Sequence, residues 1–233
     1  IAGNIYKGRV LKILPGMQAA FVDVGLSRDA FLYVRDIYED METYEELLAA
    51  VEEEAIEAVQ EAAETDGPPA KRPRRPPQAS IEELIQEGQE VLVQVAREPL
   101  GTKGARITTH VSLPGRYLVY MPTESHVGVS RKIEQEAERS RLKGIIEEIN
   151  VPREGIIVRT AGVGRSKAEL HADLEFLRST WRAIKTKAET LRAPALVQKD
   201  LDLVCRVFRD LITKDVTRLV VDSAMEYERC LEY

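Results

Sequence analysis

Cysteine is scarce in this chain: Cys205 and Cys230 are the only two in 233 residues. They are too few and too far apart for a metal site here, and the usage fits a reducing, cytoplasmic setting. No apolar run approaches the roughly 20 residues that a membrane span needs. Aromatic residues make up only 6%, so each aromatic outside a core pattern asks for a reason. The chain opens on Ile1-Ala2-Gly3-Asn4, with neither Met nor a signal-peptide pattern, as expected of a segment that starts inside a longer protein. Basic side chains are missing from residues 39–66, which hold twelve acidic ones, whereas Lys71, Arg72, Arg74 and Arg75 crowd into five positions. The net charge is −6, and setting aside those twelve negative and four positive charges leaves +2. The remainder is slightly basic, which permits nucleic-acid binding without demanding it.

What is present is a hydrophobic content of 44%, enough for a packed core. YKGRVLKIL, MQAAFVDVG and AFLYVRDI alternate and are broken by Pro15-Gly16 and Gly25, the pattern of short strands in a small barrel. Residues 40–64 turn glutamate-rich and helical in composition, and 65–80 are Pro-rich and charged, the composition of a linker. Ser80 and Glu83 have capping-box spacing, and EVLVQVARE at 90–98 returns to a strand pattern. These segments predict a five-stranded barrel with a long insertion before its last strand. After the GTKG loop, ARITTHVSL and YLVYMP flank Pro114-Gly115 and predict a hairpin. Helices are expected over 130–149, about 166–191 and about 198–213, a strand over 217–223, and a final helix after it.

The stretch that organises the chain is Ile156–Leu170, IIVRTAGVGRSKAEL. A β-branched run leads to Arg159 and Thr160, then to Gly162 and Gly164, and Ser166 with Glu169 repeats the capping-box spacing. A strand end, backbone amides and a helix N-terminus together favour an anion. A guanidinium adds a bidentate grip on phosphate oxygens and a threonine adds a hydroxyl donor. The pattern therefore points to a phosphate pocket. The alternative is an ordinary strand-to-helix turn with Arg159 in a structural ion pair.

NIYKGRV, AAFVDVG, AFL, GTKGARITTHVSLPGRYLVYMP and GIIVRTAGVG, in that order and spacing, resemble the ribonuclease E/G family across nearly the whole chain, with the ribonuclease G branch the better likeness. The resemblance implies an α+β fold: an S1-type, oligonucleotide-binding barrel at 1–98 carrying the acidic and Pro-rich insertion at 39–80, a 5′-sensor subdomain at 99–195, and part of a ribonuclease H-like subdomain at 196–233. It implies that the catalytic aspartates, which hold magnesium, and a Cys-x-x-Cys zinc link lie in later parts of the full-length family member. No catalytic or metal-binding residue is expected in this chain, and the chain alone is expected to be inactive. Asp200, Asp202, Asp210, Asp215 and Asp222 are accordingly read as solvated helix residues and a strand terminus.

By the same resemblance, Phe21 and Phe31 face RNA on the barrel, where bases stack on aromatic rings, with Lys103 beside them as a mobile phosphate contact. Residue pattern alone lets Phe21 and Phe31 fill the barrel core instead, and lets Lys103 be a solvated loop lysine. The sensor match puts Arg159 and Thr160 on a 5′-terminal monophosphate, Val119 beside it through its backbone, and Arg131 as a second basic position. The expected partner is single-stranded, 5′-monophosphorylated RNA, the expected setting rRNA and RNA processing in the cytoplasm, and the full-length protein is expected to form a homo-oligomer. Two other readings compete: a non-catalytic single-stranded RNA-binding module, and a metabolic enzyme whose RTAGVG turn binds a nucleotide cofactor. The second lacks the G-x-G-x-x-G wording.

Overall fold

A computed structural model describes residues 1–37, 80–101, 103–150, 154–211, 216–218 and 220–232. The expected insertion, apart from Ser80, lies outside the described residues. The chain divides into two compact units, Ile1–Val111 with Thr186–Gln198 and Ser112–Lys185 with Lys199–Tyr233.

The first unit is a barrel. Its strands are β1 (Ile5–Leu14), β2 (Ala19–Asp23), β3 (Ala30–Tyr33), β4 (Glu90–Arg97) and β5 (Arg106–Thr108). They pair in the order β1-β2-β3-β5-β4, and β4 pairs back onto β1, closing five strands on themselves. Every pairing is antiparallel except β3 with β5. A later strand, β10 (Ala195–Gln198), adds to the outer side of β1. Period-two alternation sends Val10, Ala20, Val22, Ala30, Leu32, Val93, Val95 and Ile107 into the core. Helix α1 (Ile81–Leu84) starts with the Ser80–Glu83 capping box in place and sinks Ile81 into the same core.

The barrel takes one strand from the expected hairpin. ARITT belongs to the barrel as β5 and does not pair with YLVYMP; only Leu113–Pro114, β6, forms the hairpin with β7 (Leu118–Met121). The reason is the pull of charge and backbone on Arg106–Thr109. Buried Asp36 accepts two bonds from Arg106, Nε at 3.0 Å and Nη2 at 2.7 Å, and its carbonyl accepts from the Thr108 and Thr109 hydroxyls. Placing the strand there also pairs edges of β3 and β4 that would otherwise be open.

The second unit carries a four-stranded sheet in the order β6-β7-β9-β8, with β8 (Val127–Val129) and β9 (Gly155–Val158) parallel to each other. Helix α2 (Glu136–Ile149) packs on β8 and β9 through Leu142, Ile146 and Ile149. Helix α3 (Lys167–Thr190) buries Leu170, Leu174, Leu177 and Ile184, the apolar stripe read from its helical spacing. Its Arg178 meets Glu154, at the entry to β9, at 2.7 Å and 2.9 Å, and Tyr120 donates to the same carboxylate at 2.9 Å. Helices α4 (Leu203–Leu211) and α5 (Ala224–Glu232) follow. The strand expected at 217–223 does not form among its described residues, and Val220 is 73% exposed. A β-branched run becomes a strand only where an edge offers pairing and a packed face.

Candidate nucleic-acid interface

On the barrel, Phe21 and Phe31 sit directly opposite each other on β2 and β3. Their neighbours Ala20, Val22, Ala30 and Leu32 are all fully buried, and neither phenylalanine belongs to the core. Both rings are therefore on the outer face, half-exposed, 4.5 Å apart between centroids and edge-to-face at 71°. The choice between core and surface falls to surface for both. Tyr33 extends the row, 5.6 Å from Phe31, and the guanidinium groups of Arg35 and Arg106 stand over its ring at 5.8 Å and 5.7 Å. Sequence reading missed Tyr33, although its position two residues beyond Phe31 on an alternating strand is the signal that places it on the same face.

Lys103 is exposed on the loop that leads into β5. Its neighbour Gly104 is fixed by close approach: a Cβ there would lie 1.8 Å from the Asp29 carbonyl oxygen. Ala105 accepts from the Phe31 amide at 2.7 Å, and Phe31 and Arg106 are register partners. The basic loop is thus tied to the strand that displays Phe31.

In the second unit, the sheet gathers the other predicted residues at one end. Leu118 and Val129 both stand in register with Val158, and Val119 with Ile157, so the start of β7 and the ends of β8 and β9 coincide. Arg159 and Thr160 leave β9 there. Arg131 follows Ser130, whose amide donates to the Val158 carbonyl at 2.8 Å. The Val119 side chain is buried, while Thr160 and Arg131 are exposed. The four residues named from sequence come to one edge.

The hairpin turn between β6 and β7 is held by charged side chains as well as by backbone bonds, the Gly115 amide donating to Leu118 at 2.7 Å and the Arg159 amide to Tyr117 at 2.8 Å. Asp173 on α3 accepts from the amides of Arg116, Tyr117 and Leu118 at 3.1, 2.9 and 3.0 Å. Gly115 is required beside it, since a Cβ would come within 2.7 Å of the Asp173 carboxylate. The turn's carbonyls face two buried arginines. Arg159 Nη1 donates to Gly115 at 2.6 Å and Arg116 at 3.3 Å, and Arg209 Nη1 donates to Pro114 at 3.1 Å. Asp210 on α4 lies with both arginines, accepting from Arg159 Nη1 at 2.8 Å and from Arg209 Nε and Nη2 at 3.0 and 2.8 Å. Burial pushes the Asp210 carboxyl up, but the bonds from Arg209 and Arg159 outweigh it and hold it below its ordinary value.

Two sequence expectations change here. Asp210 is not a solvated helix residue, and Asp200, paired with Arg206 at 2.6 Å, is not either; Asp202 accepts from the Cys205 amide at 2.9 Å, and Asp215 lies outside the described residues. Five amides of the turn are engaged internally. The amides of Gly162, Val163 and Arg165 donate to carbonyls within the turn, Gly164 donates to Glu138, and Ser166 donates to Glu169 in the predicted capping box. Glu138 is held there down to a pKa of about 2 by hydrogen bonds from Arg141 and the Gly164 amide. Arg159 and Thr160 add side-chain donors at the same end of β9. Arg116 and Arg165 add guanidinium groups over the Tyr117 ring at 5.4 Å and 5.2 Å. Magnesium and zinc find no fitting set among the described residues, where no group of three His, Cys, Asp or Glu side chains is arranged to hold an ion. No helix among the described residues is long and apolar enough to cross a membrane.

Comparison with known proteins bears on these two sites. A family model described as the Ribonuclease E/G family matches residues 112–233. Ribonuclease G of Escherichia coli K12 is 42% identical over 233 residues, a match that covers 100% of this chain and 43% of that protein. Ribonuclease G of Haemophilus influenzae is 41% identical over 240 residues, again across 100% of this chain and 43% of its own length. Ribonuclease E of a Nostoc species is 39% identical over 232 residues, 99% of this chain and 29% of its own length. The chain spans less than half the length of each of these relatives.

Proposed function

The chain belongs to the ribonuclease E/G family, and from that premise we propose that it is the RNA-gripping portion of an endoribonuclease of RNA processing and decay, working in the cytoplasm on single-stranded RNA. The observation that carries this reading is the pair Phe21 and Phe31, two rings kept on the outer face of a closed barrel whose neighbouring side chains are all buried. Exposed aromatic rings on such a barrel stack bases irrespective of sequence. Lys103 supplies the nearby phosphate contact. Arg159 and Thr160 read a 5′-terminal monophosphate, with Val119 and Arg131 at the same edge of the second sheet. A strand held at its 5′ end and clamped by the barrel gains effective concentration from two linked contacts. Cleavage, and the metal ions it uses in the family, belong to the full-length protein, which we expect to be a homo-oligomer.

The test is a comparison of two oligonucleotides that differ only in a 5′-monophosphate or a 5′-hydroxyl, with binding followed by fluorescence anisotropy. A terminal phosphate carries about −1.5 to −2 charges at neutral pH, so the wild type should prefer it. Arg159→Lys should lose much of that preference, because a point charge keeps the attraction but not the fork. Thr160→Val should lose less. A wild type indifferent to the 5′ end, or an Arg159→Lys that weakens both ligands equally, returns Arg159 to a purely structural ion pair. The same oligonucleotide incubated with magnesium should be bound and left intact; cleavage abolished by mutating this chain's own aspartates would refute the division of labour.

A further inference from the structure

The sensor reading names Arg159 but leaves open what aims it. We propose that Asp210, with Arg209 as its counterion, is the positioning residue that presents the Arg159 guanidinium to the 5′-terminal phosphate; the proposal rests on that sensor reading. Three observations converge. Among the described residues, every hydrogen bond of the Arg159 side chain leaves from Nη1, toward Gly115, Arg116 and Asp210. That one nitrogen is fully committed, so the Nε and Nη2 edge is the part of the fork that remains for phosphate oxygens. Arg209, by contrast, uses all three of its nitrogens, one on the Pro114 carbonyl and two on Asp210. No nitrogen of Arg209 is left unengaged, whereas Arg159 keeps two.

Charge separates the two roles further. Arg209 grips both oxygens of Asp210 and forms a neutral pair with it, at 3.0 Å and 2.8 Å. Arg159 meets that pair through a single 2.8 Å bond to Oδ1. Two guanidinium groups share the one Asp210 carboxylate, so Asp210 cannot neutralise both, and the arginine with the free edge is the one held by the single bond. A long side chain with rotamer freedom would spend that charge on many orientations; a buried anchor on one nitrogen restricts it to one. Asp210 is therefore placed to orient Arg159, and Arg209 to keep Asp210 from neutralising it. The alternative is that Asp210 simply occupies the phosphate's position, which predicts the opposite sign on its removal.

The experiment uses the same pair of oligonucleotides and reads the ratio of affinities, 5′-monophosphate over 5′-hydroxyl. Asp210→Ala should lower the ratio by about tenfold, the scale of one charge-assisted hydrogen bond. Asp210→Asn keeps the volume and one acceptor oxygen and should lower it by less. The decisive arm is a double-mutant cycle: in the Arg159→Lys background, Asp210→Asn should change the ratio no further, because its effect runs through Arg159. Losses that multiply independently, an unchanged ratio, or a raised one overturn the proposal. So does an Asp210→Asn chain that cannot fold, since the role is then structural. A wild type with no preference refutes the sensor reading itself and this proposal with it, whereas a wild type that prefers the phosphate beside indifferent Asp210 variants refutes only the proposal.

Discussion

Replacing Phe21 with alanine separates a core residue from a stacking one, because the two roles predict different magnitudes on two scales. A buried phenylalanine truncated to alanine costs about 3–5 kcal/mol of stability. Phe21 is half-exposed, and its main aromatic contact is the 4.5 Å edge-to-face pair with Phe31. Such a pair contributes about 0.5–1.5 kcal/mol beyond area burial, so the variant should lose on the order of 1 kcal/mol in urea unfolding, with an unchanged m-value. Binding should suffer more. Stacking on one base is worth roughly 1–3 kcal/mol, an affinity loss of about 5- to 150-fold. The ligand should be a 5′-hydroxyl oligonucleotide, so that the sensor does not contribute to the reading. A stability loss of about 3 kcal/mol or more, or an affinity within a factor of two of wild type, refutes the assignment of this face to RNA.

Lys103→Ala should leave the unfolding midpoint alone and reduce the slope of log affinity against log salt by about 0.7, one phosphate contact on a single strand; an unchanged slope removes Lys103 from the interface. The Glu138 carboxyl, held near 2 by Arg141 and the Gly164 amide, has a folded value below its unfolded one. The stability it contributes is present above the unfolded pKa of about 4.3 and is lost as pH falls toward 2. NMR titration of its side chain should find the low midpoint, and a midpoint at the ordinary carboxylate value would show that the Gly164 turn is not held this way.

The barrel was legible because its information is local and periodic. Alternation along YKGRVLKIL and AAFVDVG marks the strands and their period, while the side on which Phe21 and Phe31 fall was left open by residue pattern alone and is the outer one in the fold, shared with Tyr33. The capping boxes at Ser80–Glu83 and Ser166–Glu169 were legible for the same reason, four residues apiece. The identity of the fifth strand was not. ARITT alternates as well for a hairpin as for a barrel, and the deciding contacts come from Asp36, 70 residues away in sequence from Arg106. The strand expected at 217–223 does not form among its described residues by the reverse logic, since a β-branched composition without a pairing edge specifies nothing. Asp173 and Asp210 were illegible for a third reason. Each sits on a helix in a pattern that reads as solvated charge, and each acts on a turn more than 50 residues earlier.

Those two carboxylates change what kind of anion site this chain can hold. An amide nest binds any anion that fits its curvature, because fixed backbone dipoles do not distinguish one oxygen pattern from another. Here the amides from Gly162 to Ser166 are spent on carbonyls and on Glu138 and Glu169. Those of 116–118 are spent on Asp173. An anion here then meets fewer backbone donors and more of the side chains that the hairpin turn holds in place, and a guanidinium fork asks for two oxygens at a set separation. Spending these donors internally shifts more of the work of meeting an anion onto side chains at the end of β9, where Arg159 keeps Nε and Nη2 clear of the turn and Thr160 is exposed.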